Sequence, residues 1–573
     1  MSWVLGLVSD NLTTALRKKV SSVHSSPLHT YSDSHTHLIA GGLPSTLLFD
    51  GTAGPCPLVV LGCGIRSRAG CASGMDAHHW RAIIAGRESD VRDIDGHFLV
   101  ISPRGREVYC WSDSLGLRRL YSIRRDEGTF FSSRIDLLAK LAGGLSLSPR
   151  KFGGHWLTFN QMSFEGFHEG VIRTGPGSTM ILSADNVRVN HRLFSPGNIS
   201  VEPDVFTDLL KQYLAFEPAG GKKMAFGLSG GLDSRLLLSL LLPQKERFYL
   251  YSLGNEAEPD CTVARSIAND LSLEQVMLGE EVPSADICLD RLRRYAARTY
   301  AFSPASSFHK LGVFGRLHER GSYVVDGGMG EIVRRQFLNR LRVRGRRYLE
   351  NARPSEIFRH MQVPVPDIFK QEVIREMRAG ALEDIGTAMQ RLPPGCSHDD
   401  ILDTLIVRYR YPNYAGIEQS RMDEEVLSLT PFCQASVVNS AFGLSASHKR
   451  GARLFRRLIR SGSPQLASYP LVKGGSRYPF SLSPISSWVW TGVQKRIGRS
   501  YEDPTRDIVL KKLGPYVRDQ VRAGAVRSYE LYDYPSILQC VDSYYEGDET
   551  KGSFVDRWLS FEIWRQMTGG SGD

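Results

Sequence analysis

The sequence predicts a two-domain protein of α/β and α+β class: a β-rich domain in the N-terminal third, then a parallel-sheet domain whose C-terminal part is mostly helical. Three observations predict it. From residue 1 to about 190, short apolar stretches recur at close spacing, broken by Gly, Pro, Ser and Asp. After Asp204, strand-like and helix-like stretches alternate, as in a parallel sheet. From Arg342 onward, long amphipathic segments dominate. The domains are expected at residues 1–194 and 204–573, because 573 residues exceed one ordinary core.

In chain order, the first domain offers the strand candidates TLLFDG, PLVVLGCG, GHFLVISPRGREVYCWSD, RRLYSIRRDEGTFFSS and GSTMILSADNVRVNHRLF. The stretch Ser195 to Asp204 (SPGNISVEPD) is the linker candidate, rich in turn residues. Met224 to Leu228, Phe248 to Gly254 (FYLYSLG) and Gly321 to Gly328 (GSYVVDGG) read as buried strands. Ligands of a parallel sheet sit at the carboxyl ends of its strands, and Ser229, Gly254 and Asp326 all lie at such ends.

The most informative junction is Ser229-Gly230-Gly231-Leu232-Asp233-Ser234, between a strand candidate and a leucine-rich helix. Adjacent glycines let a ligand approach the backbone, and the helix offers unpaired N–H groups and its positive dipole end. An anion, specifically a phosphate, fits such a place. The stretch has neither the lysine of a Walker loop nor G-x-G-x-x-G spacing. Asp233 would repel a bare phosphate, so its presence implies Mg²⁺ between them.

Composition is that of a globular protein, 42% hydrophobic and 23% charged. The net charge of +10 permits anionic partners, but no aromatic-basic motif points to nucleic acid. Nine cysteines (56, 63, 71, 110, 261, 288, 396, 433, 540) show no repeated metal spacing and suggest a reduced, cytoplasmic protein. No run of eighteen apolar residues suggests a membrane span, and the N-terminus lacks the basic region of a signal peptide.

The SGGLDS junction resembles the pyrophosphate loop of the ATP pyrophosphatases, and the rest of the chain is similar to the asparagine synthetase family nearly end to end. MSWVLGLVS resembles the family's opening M-C-G-I-A-G, and Asp95 to Ser122 resembles D-G-x-F-A…D-R-x-G-x-[KR]-P-L-Y. Phe164 to Ser178, Ser252 to Leu273, Ser420 to Phe432 and Tyr469 to Phe480 follow in the family's order. The resemblance implies an N-terminal nucleophile (Ntn) glutaminase-like β sandwich, then an ATP pyrophosphatase domain that activates a carboxylate as an acyl-adenylate and passes it to an amine. It also implies that Leu228, Ser229, Gly230, Gly231, Ser234 and Gly328 hold ATP or its pyrophosphate. Asp233 and Glu331 would hold Mg²⁺, the backbone at Leu253 would meet adenine, and Lys473, Asp326 and Glu331 would be catalytic.

Three departures qualify the resemblance. Ser2 stands where the family has its cysteine nucleophile, and the glutamine-holding N-G-E-I-Y-N stretch has no counterpart, so no glutamine hydrolysis is expected. The acidic loop S-G-[DE]-G-x-D-E becomes VVDGGMGEIVRRQ. Aligned on Gly328 and Glu331, it has glycines, Gly327 and Gly330, in place of the catalytic acid and the magnesium aspartate. Shifted by one, Asp326 takes the acid's place, and Met329 the aspartate's. Arg334 to Arg347 carries seven arginines, readable as a solvated helix face or as a clamp for pyrophosphate or an acidic substrate. Lys473 reads as a surface loop lysine or as a cation that meets transition-state charge. The partners it implies are a small-molecule or peptide carboxylate and an amine, a precursor peptide with its protease being one such case. Open alternatives are an intramolecular ligase of the lasso-peptide cyclase or β-lactam synthetase kind, an ammonia-dependent asparagine synthetase, and a degenerate nucleotide-binding scaffold.

Overall fold

The computed structural model describes residues 2–25, 29–51, 57–68, 70–86, 90–158, 160–197, 199–218, 221–279, 281–299, 303–335 and 339–569. Cys56, residues 336–338 of the basic run and the Arg340 side chain lie outside the described residues. The eight other cysteines are free.

The N-terminal part holds two antiparallel sheets. In the first, Trp3–Val8 lies between Thr36–Gly41 and Gly128–Ser132. In the second, Leu58–Arg68 pairs with Asp95–Arg104, which pairs with Glu107–Ser112. Strand alternation puts Val4, Val8, Leu38 and Phe131 of one sheet against Val59, Leu61, Leu99 and Ile101 of the other. On the outer face of the first sheet, Leu5, Leu7, Ile39 and Phe130 meet Ile135, Leu138, Phe152 and Trp156 of two helices. Trp80 and Ile83 of helix Ala77–Ile84 cover the second. The layers thus run helix, sheet, sheet, helix, with the two sheets packed as a sandwich.

The second part is built on five parallel strands: β1 (Lys223–Gly227), β2 (Phe248–Leu253), β3 (Gln275–Leu278), β4 (Ser322–Val325) and β5 (Ser428–Leu429). Their order is β3-β2-β1-β4-β5. The order reverses between β1 and β4, which makes the carboxyl ends of those two strands the place for a ligand. Helices α1 (Leu232–Leu241) and α2 (Pro259–Asp270) follow β1 and β2. The edge strands β3 and β5 escape sequence reading because they are short and lack a strong apolar run.

Helices dominate after residue 339, as expected, but they do not form a core of their own. Phe152 and Trp156 of the first part share one apolar cluster with Met377, Ala381, Phe561 and Trp564. The C-terminal helices thus fasten the sandwich to the parallel-sheet part. Among the described residues, no helix is long and apolar enough to cross a membrane.

Candidate active site

A cleft of about 600 Å³ opens at the carboxyl ends of β1, β2 and β4. Of the residues singled out in the sequence, Leu228, Ser229, Gly231, Asp233, Ser234, Leu253, Asp326, Gly328, Glu331 and Lys473 line it. Gly230 stands behind this lining.

The turn after β1 is organised by its own hydroxyls. Ser229 N–H donates to Ser234 Oγ at 3.3 Å, the two hydroxyls lie 3.2 Å apart, and Gly231 N–H donates to Ser229 Oγ at 3.1 Å. No side chain caps α1, so the first-turn N–H groups of this helix remain available to an anion. Gly230 N–H is not available. It donates to Asp260 Oδ1 at 2.8 Å, an acid at the start of α2 that also lines the cleft.

Lys473 reaches the cleft on a hairpin formed by Leu471–Lys473 and Ser476–Tyr478. Gly474 and Gly475 make its two-residue turn with φ of +54° and +72°, the left-handed pair such a turn requires. Two contacts hold the hairpin against the SGG turn. Val472 N–H donates to Gly230 O at 3.0 Å. The buried Arg235 guanidinium, on α1, donates to Tyr469 O and Pro470 O, both at 2.8 Å. Burial and the neighbouring Arg334 push the Lys473 ammonium below its usual pKa. Lys473 has no ion-pair partner among the described residues.

The loop after β4 explains two of the departures. A Cβ on Gly327 would lie 2.8 Å from Ser234 Cα, and one on Gly330 would lie 2.6 Å from Asp233 Oδ1, so neither position has room for a carboxylate. Met329 between them takes φ of +71°, a strained value for a non-glycine residue. Asp326 is turned to its own loop, accepting Gly328 N–H at 2.6 Å, and burial raises its pKa.

Asp233 and Glu331 are close enough for their charges to interact. Burial lifts the Asp233 carboxyl to about 6, against the pull of Arg334 and with a push from Glu331. Arg334 grips Asp233 with both arms at 2.6 Å, occupying the carboxylate expected to hold the metal. Glu331 Oε1 pairs with Arg410 at 3.3 Å, while its Oε2 is buried without a hydrogen-bond partner among the described residues. That orphaned atom is one a cation would satisfy. Among the described residues no three His, Cys, Asp or Glu side chains gather into a metal cage. Mg²⁺ takes one or two carboxylates and completes its shell with phosphate oxygens and water. Asp233 and Glu331 therefore fit the ion, provided that Arg334 yields.

The basic run divides. Arg334 lines the cleft. Arg335, in a left-handed conformation, turns away to Asp399 at 2.5 Å and to the fully buried Asp403 at 3.1 Å. Arg342 joins the same two acids, and Arg346 pairs with Glu350. Of the two readings of the run, a solvated face or an anion clamp, neither describes Arg335, whose charge neutralises a buried acidic cluster. Sequence reading missed Arg410, which rises from a π-helical stretch, Ile406–Ala415, and Arg235. It also missed Asp260, although the stretch Ser252 to Leu273, singled out for its resemblance, contained it.

Ser2 is completely buried. Its hydroxyl reaches Thr46 O and Thr46 Oγ1, the latter at 2.6 Å, and receives Arg118 at 3.4 Å. Arg118 and His97 in turn pair with the buried Asp423 of the second part, at 3.2 and 3.1 Å. Burial opposes the charge on Asp423, but His97 and Arg118 outweigh it and hold the carboxyl below its usual range. The cavity beside Arg118 measures about 10 Å³, room for one water.

No known protein family and no curated protein match the sequence. Among solved structures, the chain aligns with glutamine phosphoribosylpyrophosphate (PRPP) amidotransferase from B. subtilis, complexed with ADP and GMP. Identity is 10%, coverage 57% of this chain and 81% of that one, and TM-score 0.21. It also aligns with the allosteric regulatory enzyme of purine biosynthesis at 11% identity, covering 57% and 74% of the two chains, with TM-score 0.20. Superposition at that level carries no weight, so the two-domain α/β assignment rests on strand order and layering.

Proposed function

We propose that this protein is an ATP-dependent, AMP-forming ligase that joins a carboxylate to an amine without hydrolysing glutamine. The observation that carries the reading is the meeting of the uncapped Ser229–Ser234 turn with Lys473 at the switch point of the parallel sheet. One element offers N–H and hydroxyl donors to a pyrophosphate, and the other brings a cation to the same cleft.

The substrate carboxylate attacks the α-phosphorus of ATP, its oxygen forming the new P–O bond as pyrophosphate leaves. An amine then adds to the acyl carbon, and AMP leaves with the C–O bond electrons. Ser229, Ser234 and the first turn of α1 bind the departing pyrophosphate, and Lys473 meets the negative charge that develops on it. Mg²⁺, held by Asp233 and Glu331, would supply charge neutralisation there. With Ser2 sealed under Thr46, Arg118 and Asp423, the amine comes from the substrate or from a second substrate. Intramolecular closure, as in the lasso-peptide cyclases and β-lactam synthetases, is one such route.

Exchange of labelled pyrophosphate into ATP, driven by a candidate carboxylate, tests this reading. The expected products are AMP and pyrophosphate, with no glutamate released from glutamine. Formation of ADP would overturn it. A second reading, a nucleotide-binding scaffold, is favoured by the Arg334–Asp233 pair. It predicts nucleotide binding with no exchange for any carboxylate at any Mg²⁺ concentration.

A further inference from the structure

Between Val426 and Tyr501 the chain carries eleven Lys and Arg residues and no Asp or Glu. Elsewhere 60 basic residues face all 61 acidic ones, so the net charge of +10 resides in this segment. Arg457, Arg460, Arg477, Lys495, Arg496 and Arg499 are exposed, and none has an ion-pair partner among the described residues.

The same segment contains helix α3 (Pro484–Arg496), where Trp488, Val489 and Val493 point the wrong way for a water-facing helix. Ser487, Thr491 and Gln494, spaced at i, i+4 and i+7, form its more buried side. Trp488, Val489 and Val493 stand outward at 70, 53 and 49% exposure, joined by Ile497 at 54% just past the helix end. Other exposed large apolar residues, such as Ile199, Ile287 and Val343, occur singly and need no explanation. Trp490 anchors the helix to the Lys473 hairpin, donating from Nε1 to Arg477 O at 2.9 Å. Its ring lines a groove of about 530 Å³ that shares Tyr478 with the candidate active site.

We propose that this face seats on an anionic lipid surface, with α3 lying in the headgroup layer and the mouth of the active-site cleft beside it. Tryptophan at the boundary, aliphatic side chains below it and Lys or Arg alongside are the parts an interfacial helix uses. The absence of any carboxylate over the segment removes the repulsion that acidic headgroups would otherwise meet. The helix lies on the membrane and does not cross it.

Co-sedimentation of the full chain with phosphatidylcholine vesicles, with or without phosphatidylglycerol, tests the proposal. Binding is expected only to the anionic vesicles and to weaken with salt. Removing Lys495, Arg496 and Arg499 together, as glutamines, should weaken it about a hundredfold, at roughly fivefold per charge. Trp488→Ser/Val489→Ser/Val493→Ser should abolish it while leaving thermal unfolding unchanged. A blue shift of tryptophan fluorescence on adding vesicles, lost in Trp488→Phe, is expected as a second readout that needs no folded-state comparison. The proposal fails if the wild type ignores anionic vesicles, binds both kinds alike, or is matched by the apolar triple variant. It also fails if that variant converts a wild-type dimer to monomers, because the face would then be a subunit contact. None of these measurements depends on ligase turnover.

Discussion

Gly230→Ala asks whether the Ser229–Ser234 turn and the Lys473 hairpin work as one unit. Gly230 has no positive φ, so its backbone admits alanine, and the obstacle is Val472. An added Cβ would lie 2.7 Å from Val472 Cβ and closer still to Val472 Cγ2. Carbon atoms pack at about 3.5–4.0 Å, so the hairpin must retreat by about 1 Å. Rotating Val472 does not help, because its Cβ stays where it is. Retreat also stretches the 3.0 Å bond from Val472 N–H to Gly230 O and works against the grip of Arg235 on residues 469 and 470. Such overpacking costs about 1–3 kcal/mol. Displacing a catalytic cation by about 1 Å lowers turnover by as much as about a hundredfold. Pyrophosphate release at saturating ATP should therefore fall by that order, with only a modest drop in the urea midpoint. Val472→Gly added to the variant removes the obstacle and should restore most of the rate, whereas Val472→Ala retains the Cβ and should restore little. Wild-type turnover in Gly230→Ala, or no recovery with Val472→Gly in a folded chain, would refute the coupling.

Lys473→Ala should lower kcat and kcat/KM for ATP by similar factors, about a hundredfold, since it removes a contact made mainly in the transition state; a rise in KM alone would return Lys473 to ground-state binding. If Arg334 competes with the metal for Asp233, Arg334→Gln should reduce the Mg²⁺ concentration that gives half-maximal pyrophosphate release, and an increased requirement would show that Arg334 contributes to the site. Arg335→Met should cost about 1.5–3 kcal/mol in urea unfolding, because it removes a charged donor from buried Asp403 while Arg342 remains, and should leave KM unchanged. Because Asp233 titrates at about 6, kcat/KM should decline as pH falls through that value and the carboxylate takes up its proton. Its stability contribution runs the other way: the native state holds this proton more tightly than the unfolded chain, so the contribution is fullest below about 4 and shrinks as pH rises to about 6.

The sequence by itself determined the strand, turn and helix at Ser229–Ser234 and the hairpin strands of the sandwich. Each depends on a few adjacent residues: two glycines, a period of two, a cluster of turn formers. Such signals are local, and the backbone answers them before any distant contact forms. It also exposed the missing cysteine at Ser2 and the missing acids at Gly327 and Gly330, because an absent side chain is visible without coordinates. Only the tertiary structure decided what fills those places. Gly330 is a glycine because Asp233 stands against it, 97 residues earlier in the chain, and Ser2 is closed over by Thr46 and by Arg118, which Asp423 of the second part holds in place. The arginine run showed the limit most plainly, since Arg334 and Arg335 are chemically identical neighbours. A left-handed turn at Arg335 sends one guanidinium into the cleft and the other into a buried acidic cluster. Their partners lie 101 and 68 residues away, and pairing over such distances follows from how the elements pack, which no local pattern records.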